Sequence, residues 1–383
     1  IWIMAKINVI SPYFINLDTT NLTSATLELR IYIGAAETTW QGSPQYTLTS
    51  TAINAKINFE IAELIKDYIP AEFNGTYPNS LAAADDYTTM YVDYRTTETL
   101  SSGSPVVTTV LGERAFLGYG YFEDGVNPQL LQGYLQSNTT ILKSDDDALR
   151  IPVDNENTTS VAFFNDNEQI YTWTPSVGLK IQDQIQYVST SSAGVDNYKE
   201  RVEGSGGTFE DNICLQQFLK SETIYPVDEV IVNAVEGVTV IKVNNISECK
   251  FNPYKLTFIN KFGVYQDIWM FKKNSISIAA TEEKFKRNIL TNGSYNTYNH
   301  QSTILTKNAK QSLTLNSGYY PESNNELFKQ LILSEKVWIE YDNKTLPILI
   351  TSNSLGFKTS LNDRLIDYTI QVEFAYQTIN NVR

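Results

Sequence analysis

Near its C-terminal end the chain alternates apolar and polar side chains without a break for eleven residues: Ile366, Tyr368, Ile370, Val372, Phe374 and Tyr376 are interleaved with Asp367, Thr369, Gln371, Glu373 and Ala375. A period of two places successive side chains on opposite faces of an extended backbone, so this segment reads as a β-strand with one face on a core and the other on water or a partner. The same pattern recurs at 25–34, where Leu27, Leu29, Ile31 and Ile33 alternate with Glu28, Arg30 and Tyr32. With 24 Tyr and 17 Phe, and charged residues at only 19%, the composition is that of a β-rich chain able to bury real cores.

Its 383 residues exceed one ordinary domain. Strand signals at 91–94, 106–111 and the aromatic run 116–122, separated by turn residues, place a β-sandwich over 1–125. One helix is expected inside it at 61–69, where Ile61, Leu64, Ile65 and Tyr68 complete the i, i+3, i+4, i+7 stripe and Pro70 marks the stop. A second β-sandwich-like domain is expected over 126–275, with a flexible Gly- and Ser-rich loop near 191–208. Within it, 230–235 with 238–243 and 255–260 with 264–272 each read as a hairpin with Gly at the turn. The remaining 276–383 reads as an α+β domain with a helix at 325–335 that presents Leu327, Phe328, Leu331 and Ile332. The fold class expected is therefore mainly β: tandem immunoglobulin/fibronectin-III-like β-sandwich domains, a C-terminal α+β domain and a few short helices.

Charge divides the chain. Residues 1–200 carry 24 acids against 10 bases, whereas 201–383 carry 19 of each. A net charge of −14 disfavours a protein that coats nucleic acid by neutralising phosphates, so no direct nucleic-acid binding is expected. No run approaches the roughly 20 apolar residues of a membrane-spanning helix, and no leader pattern opens the chain, so neither a membrane span nor export is expected.

A single histidine, His300, and two cysteines, Cys214 and Cys249, exclude multi-histidine and four-cysteine metal sites within one copy. His300 lies in a polar, loop-like context with no nucleophile motif around it, and no phosphate-binding or dinucleotide-binding glycine motif occurs. No catalytic residue, cofactor or metal is expected. Two carboxylates suffice for glycoside hydrolysis, and Glu123 with Asp124 are the candidates for a depolymerase reading, although acids in turns ordinarily face water. Asp145, Asp146 and Asp147 lack the spacing of a calcium loop. Trp40, flanked by polar and turn-forming residues, is the candidate exposed aromatic for a ligand or partner. Tyr368, Ile370, Val372 and Phe374 are the candidate inter-subunit strand, since a long amphipathic strand near a terminus suits pairing between subunits.

The segments 63–69 (ELIKDYI), 92–97 (VDYRTT), 117–125 (LGYGYFEDG), 256–263 (LTFINKFG) and 333–338 (LSEKVW) resemble tail structural proteins of tailed bacteriophages, particularly those of crAss-like and other Bacteroidota phages. The resemblance implies a non-enzymatic virion component, made in the bacterial cytoplasm and assembled into a ring or collar with itself and other tail proteins. It also implies a tail-tube-like character for the C-terminal domain. The charge division then leads to an expectation: the neutral second half supplies most ring contacts and the acidic first half projects outward. The alternative kept open is a surface adhesin or carbohydrate-binding β-sandwich protein.

Overall fold

The computed structural model describes residues 6–33, 37–75, 88–129, 134–145, 147–153, 158–174, 186–189, 227–235, 237–352, 356 and 365–379. The chain is mainly β, with few and short helices among the described residues. The segment 191–208, expected to be a flexible loop, lies outside them.

The first region supplies β1 (Lys6–Asn8), β2 (Phe14–Leu17), β3 (Leu22–Tyr32), β4 (Tyr46–Thr51), β5 (Ile57–Glu60), α1 (Ala62–Lys66), β6 (Thr89–Leu100) and β7 (Val106–Phe116). Five of these strands form a sheet in the order β1-β7-β6-β3-β4, parallel only between β1 and β7. On β3 the expected alternation is realised, with Ala25, Leu27, Leu29 and Ile31 buried and the residues between them facing outward. The helix is shorter than its apolar stripe, ending at Lys66 before a turn at Asp67 and Tyr68, and it buries Ala62 and Ile65.

At a break in the pairing of β6 and β7 between Val92 and Tyr94, Asp93 stands opposite Arg30 on the sheet face away from the core, and it is nonetheless fully buried. Its carboxylate accepts hydrogen bonds from the Gly112 amide (2.7 Å), the Tyr32 hydroxyl (3.1 Å) and the Arg30 guanidinium (3.2 Å). Burial pushes its pKa up, against the pull of those donors.

Middle residues form β8 (Thr139–Ser144), β9 (Arg150–Val153), β10 (Thr158–Asn165), β11 (Glu168–Trp173), β12 (Gln186–Ser189), β13 (Glu229–Ala234) and β14 (Gly237–Ile246). The sheet order is β11-β10-β13-β14-β8, and β9 pairs separately with β12. The expected hairpin at 230–243 is β13 and β14, closed by Ala234 opposite Gly237.

Next come β15 (Tyr254–Ile259), β16 (Tyr265–Met270), β17 (Ser275–Lys286), β18 (Ser302–Pro321), α2 (Asn325–Leu333), β19 (Val337–Tyr341), β20 (Lys344–Ile350) and β21 (Leu365–Phe374). They make one antiparallel seven-stranded sheet, β16-β15-β19-β20-β21-β18-β17. This sheet takes in the second expected hairpin, β15 and β16, and so runs across position 275, where the sequence analysis divided the chain.

Two cores result. In one, the middle sheet packs with the seven-stranded sheet and with Leu327, Phe328 and Leu331 of α2. In the other, the first sheet and α1 close on Ile259, Phe262, Tyr265 and Trp338. Strands β15 and β19 thus contribute to both: Phe258 and Ile339 face one core, Ile259 and Trp338 the other. Burial on both faces accounts for the consecutive apolar pairs Phe258-Ile259 and Trp338-Ile339. Each large side chain so buried stabilises by about 1.5–3 kcal/mol.

Polar contacts fix the junction with the first region. The Tyr119 amide donates to the Lys261 carbonyl at 2.9 Å, and Tyr265 donates its hydroxyl to the Glu72 carbonyl at 3.1 Å. Lys336 donates to the Pro70 carbonyl, and Lys66 pairs with Glu335 at 2.8 Å. Strand β7 stops at Phe116 rather than continuing through the aromatic run, because backbone from elsewhere presses against Gly118. A methyl group there would lie 2.7 Å from the Lys261 carbonyl oxygen.

Candidate functional site

Among the described residues no group of three or more His, Cys, Asp or Glu side chains converges to hold a metal ion. Asp147, one of the three consecutive aspartates, accepts the Trp269 indole N–H at 2.6 Å and so anchors a core tryptophan. Glu123 and Asp124 lie exposed in a single 3-10 turn, Phe122–Asp124. The Asp124 carboxylate accepts the Tyr121 amide at 2.8 Å, which closes its own turn. His300 is exposed, and its carbonyl accepts from Arg287 at 3.0 Å.

Trp40 is half-buried. The Arg95 guanidinium sits 4.7 Å from its ring centroid, and Arg95 is itself held by Glu28 at 2.6 Å. Part of the ring is thus occupied by a cation from β6, which fastens the β3–β4 connection to the outer face of the sheet.

The four residues of the candidate inter-subunit strand are placed inside the molecule. β21 pairs along one side with β18 and, over its C-terminal part, with β20 on the other. Tyr368, Ile370, Val372 and Phe374 are all buried, and the Tyr368 ring stacks on Phe328 of α2 at 3.9 Å. Their amphipathic pattern reflects a core face under a helix; the sheet edge lies two strands away, at β17.

That edge is the feature sequence reasoning missed. β18 pairs with β21 only from Ser312 onward; Asn308 and Ala309 are still bonded to the segment that follows β21, the Thr378 amide donating to the Ala309 carbonyl at 2.8 Å, and residues 302–307 pair with β17 alone. The result is a two-stranded ribbon that leaves the body: the pairs from Glu282 with Lys307 to Lys286 with Ser302 span roughly 13 Å at about 3.3 Å per residue. Every residue of β17 is exposed. One face carries Ile276 opposite Leu313, Ile278 opposite Gln311 and Ala280 opposite Ala309. Leu313 is buried in the body, so among the described residues the core face of the sheet continues past the body uncovered, with Ile278 64% exposed.

Beyond the strands, Leu290, Tyr295 and Tyr298 are exposed around a turn at Asn292-Gly293, both at positive φ as in a type I′ turn. The signal was present in the sequence: Ile276, Ile278 and Ala280 alternate with Ser277 and Ala279, and Asn-Gly follows. A two-stranded ribbon is marginal in water by itself, and a flat apolar edge pairs readily with other chains. The chemistry this arrangement offers is association.

No protein-family model matches the chain, and no curated protein matches it either.

Proposed function

We propose that the chain is a non-enzymatic structural component of a phage virion tail that assembles with copies of itself, and with other tail proteins, into a ring or collar. The observation that carries this reading is the ribbon of β17 and β18, whose apolar side chains are left uncovered by the described residues of the body. The charge-free stretch 275–281 adds to it, because monomeric proteins ordinarily guard such edges with charges, Pro or bulges. The ribbon belongs to the neutral half of the chain, in keeping with ring contacts supplied from there. The tandem immunoglobulin/fibronectin-III-like description of the first two regions, and the tail-tube-like description of the third, belong to the same proposal. What supports them is coarser: each of the first two regions contributes a five-stranded sheet to an apolar core, the other side of which comes from the seven-stranded sheet.

Light scattering and negative-stain imaging of the full chain test it, beside a variant in which 282–307 is replaced by a tight turn. The expected result is a closed oligomer for the full chain and a monomer of unchanged melting temperature for the variant. A full chain that stays monomeric at every concentration and binds glycans on an array would overturn the proposal in favour of the adhesin alternative.

A further inference from the structure

Among the described residues of the body one large apolar side chain, Phe122, is fully exposed, with Val126, 72% exposed, beside it. They border an open groove of about 430 Å³ whose other walls include Pro12, Phe14 and Pro128. Phe122 does not stand out because its loop is loose. The Tyr121 hydroxyl donates to Glu326 of α2 at 2.6 Å, its ring lies 3.5 Å under the Lys329 ammonium, and the Asp124 carboxylate closes the turn. An aromatic side chain held out in water by a braced turn is a prepared contact, since little conformational freedom remains to be lost on binding. Glu123 and Asp124 give that rim a negative charge, and Glu123 makes no ion pair among the described residues.

The ribbon has the opposite charge. From 275 to 311 its charged residues are Lys284, Lys286, Arg287, Lys307 and Lys310 against Glu282 and Glu283. Glu282 is already shared by Lys284 and Lys307, and Lys310 pairs with Glu373. The outer end is left with Lys286 and Arg287, which make no ion pair among the described residues, beside exposed Phe285 and Leu290.

We propose that the outer end of the ribbon of one copy docks in the Phe122 groove of a second copy, with Phe285 and Leu290 against Phe122 and the Lys286–Arg287 end against Glu123. This rests on the self-assembly reading above and gives it a specific contact. Ribbon and groove are different surfaces, so the contact is head to tail, which closes into a ring when the rotation allows. The acidic first half is then a receiving surface, and its charge steers the basic ribbon of the neighbour.

The test uses three full-length chains: the unmodified one, Glu123→Lys and Arg287→Glu. Both substituted positions are exposed, so melting temperatures should match the unmodified chain and serve as a folding check. Each variant alone should assemble at least tenfold more weakly in sedimentation velocity, because like charges then meet. Mixed in equal amounts, they should recover assembly to within about threefold, since every ribbon finds an opposite charge on the other variant's groove. Docking within one copy gives no such recovery on mixing. If the unmodified chain assembles and the single variants do too, or if mixing restores nothing, the ribbon docks elsewhere and this proposal fails while self-assembly stands. If the unmodified chain never assembles, both fall.

Discussion

Gly263 is where the junction between the first region and the seven-stranded sheet is most exposed to a single atom. It sits in the turn between β15 and β16 at φ +78°, held by Asn260, whose side-chain oxygen accepts the amides of Phe262 (3.0 Å) and Val264 (3.3 Å). A methyl group added there would stand 2.8 Å from Cβ of Phe116 and 2.9 Å from the amide nitrogens of Leu117 and Gly118. Two costs then add in Gly263→Ala. A left-handed conformation costs a non-glycine residue about 1–2 kcal/mol, and forcing atoms into a packed interior costs about 1–3 kcal/mol. The expected loss is about 3 kcal/mol, with the Tyr119–Lys261 hydrogen bond the first to lengthen. Gly42 supplies the control, with a similar φ, +69°, but no atom within 4 Å of its added methyl. Gly42→Ala should therefore lose only about 1 kcal/mol. The two variants should differ by about 2 kcal/mol, or roughly thirtyfold in the folded-to-unfolded ratio. Urea unfolding followed by tryptophan fluorescence measures this, since Trp338 is buried at the junction. Equal losses for both variants would refute the claim that close backbone packing, rather than turn geometry alone, dictates glycine at 263.

Two further outcomes follow from single side chains. Asp93→Ala should lose about 3 kcal/mol in the same unfolding assay, because the Gly112 amide is left buried without an acceptor and the half-buried Tyr32 hydroxyl loses its own; Arg30 keeps Glu37, at 2.9 Å, as a partner. Glu248→Gln should show a pH-dependent loss. The hydrogen bond from Lys272, at 2.7 Å, holds the Glu248 carboxyl below the usual carboxylate range, so its contribution is present above about pH 4.3, the ordinary glutamate value, and disappears as pH falls through the lower folded value. Thermal melts from pH 7 to pH 3 should therefore show the gap between the two proteins closing with acid, and a gap that stays constant would contradict the assignment.

What the sequence made legible was local. β3 was readable because one of its faces is buried along its whole length, and the β13–β14 and β15–β16 hairpins because a turn glycine stands between apolar runs. α2 was readable because Leu327, Phe328 and Leu331 share a stripe. Pairing between distant segments left no such mark. β15 joins β19 through Leu256 opposite Ile339, some eighty residues on, and nothing in either strand announces the other. The alternation of β21 was read correctly as one apolar face and one polar face, but a face looks the same in sequence whether α2 or another molecule covers it. The ribbon was overlooked for the converse reason. Its modest alternation resembles that of an ordinary hairpin, and its distinguishing property is the absence of a covering layer among the described residues, which becomes visible only once the body is folded.

The fixed junction and the uncovered ribbon belong to one physical scheme. An arm that must find a groove on a neighbour associates most strongly when both are already held in direction, because the freedom lost on binding is then small. β15 and β19 are buried on both faces and lock the first region, which bears Phe122, onto the sheet from which the ribbon projects. Glu326 and Lys329 of α2 brace Tyr121 from that same sheet's helix. A displacement at the junction, as in Gly263→Ala, should thus weaken assembly as well as folding, although Gly263 lies in neither docking surface. Under conditions where the variant remains fully folded, its oligomer should dissociate at lower dilution than that of Gly42→Ala. If the two variants dissociated together, ribbon and groove would be acting as independent patches, and the rigid body between them would have no part in setting the proposed ring.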